Sequence, residues 1–256
     1  MAFLPISVYY LFMDKGTEHP LSIVRNEAYE IFSDLGFEIA DGPELETEWY
    51  NFDALNVSKN HPARDMQDTY WIKMMESEIE NSQSGERSSR PVLRTHATSV
   101  SARMLEKAAH ENKNTCAYIS IGKVFRNEAT DATHEAQFFQ IDGSMIGENI
   151  NLSHLKGVLL KFYKKVLGED IEIEFRPSFF PFTEPSVEVH AKFKGKWLEM
   201  MGGGMLHPNV LKNAGFDPEK VQGFAFGGGL DRIAMIKYKI PDVRLFYQGD
   251  LRLNQF

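Results

Sequence analysis

Six residues between Gly122 and Gly143 combine types and spacing suited to holding a nucleotide. In GKVFRNEATDATHEAQFFQIDG, the guanidinium of Arg126 can take a phosphate and Glu128 can accept from an exocyclic amine. His134 adds a second nitrogen-bearing group and Phe138 a plate for stacking a base, with Gln140 and Asp142 two and four positions further on. Side chains two apart on a strand share a face, so Arg126 and Glu128 can share one on the way out, and Phe138, Gln140 and Asp142 one on the way back. On spacing alone the same residues also fit a hairpin with a salt bridge and a buried phenylalanine.

A second cation stands near the C-terminus. Arg232 follows the glycine run 227 to 229 in GFAFGGGLDRIAM. A glycine-rich turn lets backbone approach a ligand, and a helix N-terminus attracts anions. The run is neither GxGxxG nor a P-loop. Taken alone it also fits a loop with a solvated arginine; taken with Arg126 it suggests two clamps on one polyphosphate.

The elements that must carry these residues are an antiparallel hairpin and a strand–turn–helix unit. Lys123 to Arg126 alternates polar and apolar, Asn127 to Glu135 has loop chemistry, and Gln137 to Asp142 returns as a strand. Phe224 to Phe226 reads as a buried strand, Gly227 to Gly229 as a tight turn, and Leu230 to Tyr238 as a helix. Further helices are expected after His19-Pro20 up to Gly36, after Thr98 and Ser153 as caps, and from Pro208. Strands are expected at 37–40, 91–95, 116–121, 171–176 and 197–201, the last followed by the glycine run 202 to 204. Prolines 177, 181 and 185 suit loops or edge strands. Strands joined by hairpins with helices between them indicate an α+β fold, an antiparallel sheet flanked by helices. No repeat or linker divides the chain, so residues 1–256 are expected to form one domain, with 1–18 an N-terminal extension and 74–90 a polar surface loop.

The 256 residues are 43% apolar and 25% charged, as in ordinary globular proteins. No apolar run reaches membrane-spanning length, and the apolar start lacks the basic region of a signal peptide. The lone Cys116 excludes an intrachain disulfide and fits a reducing, cytoplasmic setting. No Cys/His cluster has zinc spacing. A formal net charge of -8 requires any nucleic-acid partner to meet a local basic patch or a second subunit.

FRNE and GGGLDRIAM resemble motifs 2 and 3 of class II aminoacyl-tRNA synthetases. NFDALN, HPARDMQDT, RTH, VFRNEATDATHEAQF, FFPFTEPSVEV, GGGMLHPNVL, GFAFG and IPDVRLFYQGDLRLNQF, in that order, resemble the α chain of the phenylalanyl-tRNA synthetase family, from about His19 to Phe256. The resemblance implies the class II catalytic fold, ATP and Mg²⁺, L-phenylalanine and tRNA(Phe) as partners, and a large β chain in an α2β2 assembly, or an α homodimer where no β chain exists. It also implies roles. Arg126 would bind the α-phosphate and the amino-acid carboxylate region, screening the repulsion of one anion attacking another. Arg232 would hold the γ-phosphate, His134 the β/γ end, Phe138 the adenine ring and Glu128 its amino group. Phe180 and Phe182 would enclose the substrate ring over Ala225 as floor, with His96, Thr98, Gln140 and Asp142 at the ammonium and carboxylate ends. Glu184 would be the magnesium ligand, and Pro43 the motif 1 proline.

Asp142 and Asp231 stand where the family usually has Glu, and little precedes the first catalytic helix, so a short form without the tRNA-binding arm is expected. A paralogue that only binds amino acid or adenylate, and a ligase for another aromatic acid, are the rival readings.

Overall fold

The computed structural model describes residues 18–64, 69–73, 87–193, 195–250 and 253. The N-terminal extension to residue 17, the middle of HPARDMQDT, most of the 74–90 loop and the last few residues of the C-terminal match lie outside them.

The expected hairpin supplies the second and third strands of a seven-stranded sheet. Strands β4 (Cys116–Phe125) and β5 (Gln137–Gly147) pair antiparallel, with Gly122 opposite Gln140 and Val124 opposite Phe138. The two segments expected as separate strands before Arg126 are one continuous β4. A glycine at 122 does not break it, because Arg94 packs where a side chain would be. The order is β1 (Glu38–Ile39), β4, β5, β9 (Gln222–Gly229), β8 (Lys196–Leu206), β7 (Thr183–Phe193), β6 (Ile173–Phe180). Every pairing is antiparallel except β1 with β4. Pro177 lies in the edge strand β6, and Pro185 at a bulge in β7, where a ladder donor is dispensable. A separate ribbon pairs β2 (Leu45–Thr47) with β3 (Pro91–Leu93).

Both glycine runs lie in strands, not in turns. Gly202 to Gly204 continue β8, and Gly227 to Gly229 end β9. The reason is non-local: a Cβ on Gly228 would stand 2.5 Å from the Met200 carbonyl oxygen, and one on Gly204 would collide with that of Pro185. Only bare backbone lets the strands approach so closely.

Helices cover both faces. On one, α1 (Pro20–Asp34), α4 (Leu152–Leu167) and α6 (Leu230–Tyr238) bury Val24, Phe32, Leu159, Phe162 and Ile233 against Ile119, Ile141 and Phe226. The other packs α3 (Thr98–His110), α5 (Pro208–Ala214) and the short α2 (Glu48–Asn51), with Val100, Leu105, Leu211 and Phe52 around Tyr118 and Ala225. The alternation on β5 thus sends Ile141 into the first core and leaves Gln140 and Asp142 on the opposite face.

Two expected caps differ. Helix α4 is capped by Asn151, which accepts the Ser153 N–H at 3.0 Å, while His154 Nδ1 accepts the Asn151 N–H at 3.2 Å. Ser153 is therefore inside the first turn. Thr98 is the first residue of α3, after Ala97, and its hydroxyl points away from the helix end to Asp142.

Candidate active site

On the face shared by Gln140 and Asp142 the sheet opens into a cavity of about 470 Å³. That lies within the size range of small-molecule sites. Arg126 and Arg232, 106 residues apart in the chain, both line it, together with His96, Thr98, Glu128, His134, Phe138, Gln140, Asp142, Phe180, Phe182 and Ala225. Glu184 is not among its walls; it is exposed at the β7 bulge.

Arg126 leaves the end of β4 with its backbone N–H on the Ala136 carbonyl at 2.9 Å. Its Nε donates to the Thr95 carbonyl at 3.1 Å, so the RTH segment aims it. The guanidinium lies 5.1 Å from the Phe138 ring centroid and 3.9 Å from the Glu128 carboxylate. Cation and aromatic plate form one surface, as the hairpin spacing suggested. His134 sits on a loop organised by Asp131, whose Oδ1 accepts the Thr133 and His134 N–H groups at 2.6 and 2.8 Å. Those donors hold the Asp131 carboxyl well below the usual carboxylate range.

Arg232 enters from the first turn of α6 and donates to the Glu199 carbonyl on β8 at 2.8 Å. The helix approaches the cavity through β9, whose Gly227, Gly228 and Gly229 form wall with backbone alone. Glu199, Glu135 and Met200 also line the cavity and carried no local signal in the sequence; Asp231, marked there only as the residue before Arg232, lines it too. Asp231 is buried and accepts the Phe139 N–H at 2.8 Å and the Tyr247 hydroxyl hydrogen. Burial pushes its carboxyl up to about 6.

Phe180 and Phe182 stack with ring centroids 5.9 Å apart and planes 11° from parallel. His96 lies 6.4 Å from the Phe182 ring. Burial and the neighbouring Arg126 push the His96 imidazole down to about 4, so it is neutral at pH 7. Ala225 is buried on β9, opposite Ser144 and Gly204. Gln140 Oε1 accepts the Ala97 N–H at 2.7 Å. Asp142 accepts hydrogen bonds from Thr98 and Ser101 at 2.7 and 2.6 Å. Burial pushes its carboxyl up to about 7, against the pull of those donors and of Arg94.

Two cations, an aromatic plate, a stacked aromatic pair and a buried carboxylate around one hollow suit a ligand that combines polyphosphate, base, apolar ring and ammonium. The pattern of tRNA synthetases class II core domain (F) matches residues 6–256. The phenylalanine–tRNA ligase alpha subunit of Anoxybacillus flavithermus is 49% identical over 255 residues, covering 94% of this chain and 69% of that protein. The protein of the same name from Bacillus mycoides is 47% identical over 257 residues, covering 95% and 70%.

Proposed function

The chain belongs to the class II tRNA synthetase core family, with phenylalanine–tRNA ligase alpha subunits as its relatives, and we propose its reaction and the work of its residues from that membership. It activates L-phenylalanine with ATP and transfers the phenylalanyl group to tRNA(Phe). In the first step a carboxylate oxygen of the amino acid attacks the α-phosphorus. The bond to the β-phosphate bridging oxygen breaks, and pyrophosphate leaves with the electron pair. In the second, a ribose hydroxyl of the terminal adenosine attacks the acyl carbon and AMP departs.

The observation that carries this reading is that Arg126 and Arg232 line the same cavity as the Phe180–Phe182 pair. Arg126 faces two anions forced together and stabilises the charge that grows between them. Its contact with Phe138 sets α-phosphate and adenine in one plane of approach. Arg232, anchored on β8, holds the far end of the triphosphate, with His134 nearby. The neutral His96, Thr98, Gln140 and Asp142 receive the amino-acid head group, and Phe180, Phe182 and Ala225 its ring. Such a wall excludes larger side chains but discriminates weakly against an added hydroxyl.

Mg²⁺ supplies charge neutralisation on the phosphates, and typically needs one or two carboxylates besides phosphate and water oxygens. Among the described residues there is no cluster of three ligands for an all-protein site. Glu199, in the cavity wall where Arg232 is tethered, fits such a sparse site better than Glu184, which lies outside that wall.

The alpha-subunit relatives suggest a β chain, in an α2β2 assembly, working in the cytoplasm. No helix among the described residues is long and apolar enough to cross a membrane. The deciding experiment is phenylalanine-dependent ATP–pyrophosphate exchange, with and without a copurified β chain. Exchange with phenylalanine supports the reading; folded protein that binds ATP but never exchanges would overturn it.

A further inference from the structure

Asp142 is 1% exposed, yet its carboxylate has no cation in hydrogen-bond contact among the described residues. Arg94 acts on it only through space, because that guanidinium donates to the carbonyls of Gly42 and Lys123, at 3.0 and 2.7 Å. Two hydroxyls of α3 hold the carboxylate instead. Thr98 Oγ1 donates to Oδ2 at 2.7 Å, and Ser101 Oγ to Oδ1 at 2.6 Å. Residues three apart on a helix project to one side, so the pair grips both oxygens from the same turn. Thr98 lines the cavity, whereas Ser101 is buried behind it.

The remaining approach to the carboxylate is kept open on β9. Gly227 is in register with Asp142, and a Cβ there would stand 2.8 Å from Oδ2. A buried anion held by two hydroxyls, with bare backbone beside Oδ2 and no ion-pair partner, lacks a counter-charge. An α-ammonium group in the cavity supplies it.

We infer, on the amino-acid-activating role proposed above, that Ser101 is a positioning residue for the substrate ammonium: its hydroxyl fixes the rotation of the Asp142 carboxylate so that the edge beside Gly227 faces the cavity. The terminal torsion of an aspartate is broad, with no sharp minimum of its own. Held by Thr98 alone, the carboxylate turns about that single bond and meets the ammonium in the right orientation only some of the time. Ser101 touches no substrate in this arrangement and acts entirely through Asp142.

The test separates ammonium from carboxylate recognition. Ser101→Ala is made in the full chain, with its β chain where exchange requires one. Binding of L-phenylalaninol, which has the ammonium and no carboxylate, is compared with binding of 3-phenylpropionate, which has the reverse. Loss of one hydrogen bond to a charged group predicts about ten- to a hundredfold weaker phenylalaninol binding, with 3-phenylpropionate within about twofold. In exchange, KM for phenylalanine rises by a similar factor while kcat and KM for ATP stay within about twofold. In an Asp142→Asn background, Ser101→Ala has no further effect on phenylalaninol binding. Equal weakening of both analogues, a parallel rise in KM for ATP, or an effect that persists in the Asp142→Asn background overturns the assignment. Wild-type protein that fails to exchange removes the activation reading itself; wild type that exchanges beside an unaffected Ser101→Ala removes only the role of Ser101.

Discussion

The Asp231 carboxylate accepts the backbone N–H of Phe139 at 2.8 Å, tying the first turn of α6 to the start of β5. Its other oxygen receives the Tyr247 hydroxyl hydrogen. Neighbours of these two residues, Arg232 and Phe138, are the proposed holders of phosphate and adenine, so one buried carboxylate sets the spacing of both ends of the nucleotide site. Tyr247→Phe removes one donor from a buried acceptor, which costs about 1–3 kcal/mol. Chemical denaturation will show that loss, and KM for ATP will rise more than KM for phenylalanine.

Arg126→Ala and Arg232→Ala each remove charge from the cavity wall without opening a core. Loss of one preorganised group at a developing charge costs about 2.7–4 kcal/mol in activation free energy. Exchange rates should fall about a hundredfold or more while the melting temperature changes little. Arg126→Lys will not restore the rate, because an ammonium cannot replace a planar fork tethered at Thr95.

The pH profile follows from Asp142. Its folded value is pushed up to about 7, against about 3.9 for an unfolded aspartate. The native state therefore binds the proton more tightly. The stability this contributes is present below about pH 4 and is lost as pH rises through 7. Ammonium recognition runs the other way, because it needs the ionised form. Thus kcat/KM for phenylalanine should fall about tenfold per pH unit below 7 and level off above it. His96, pushed down to about 4, stays neutral across that range. Asp142→Asn should remove this limb and raise KM; a wild-type profile flat from pH 5.5 to 8 would count against the assignment.

The hairpin was legible because alternation and loop chemistry are local signals, whereas the meeting of Arg126 and Arg232 in one cavity was implied by the resemblance of FRNE and GGGLDRIAM to synthetase motifs. The glycine runs read locally as a break and a turn because glycine punctuates most chains, whereas here it answers to Met200 and Pro185 on neighbouring strands. Asp142 and Ser101 lie 41 residues apart, and Tyr247 and Asp231 lie 16 apart. No periodicity links such pairs, so their hydrogen bonds emerge only with the sheet and helices in place. Glu199 was invisible for the same reason, since its place in the wall follows from the pairing of β8 with β7, where it lies opposite His190, and from the Arg232 tether. Serine is a common cap, which is why Ser153 suggests one; Asn151 fills that role two positions earlier.

The glycines also predict an asymmetry in tolerance. A Cβ on Gly228 would stand 2.5 Å from the Met200 carbonyl oxygen, so Gly228→Ala must push β8 and β9 apart and costs about 1–3 kcal/mol or more. Nothing lies within 4 Å of the same atom on Gly229, and Gly229→Ala should change stability by about 1 kcal/mol at most. Thermal denaturation of the two variants distinguishes steric contact from a general glycine requirement.

Five positions around the hollow, Gly202, Gly203, Gly227, Gly228 and Gly229, present main chain to it. A single substitution at any of them adds atoms and never subtracts them. Drift at those five positions can therefore only tighten what the enzyme admits. Relaxed tolerance for bulkier amino acids has to arise where there is still something to trim, at Ala225, Phe180, Phe182 or Met200.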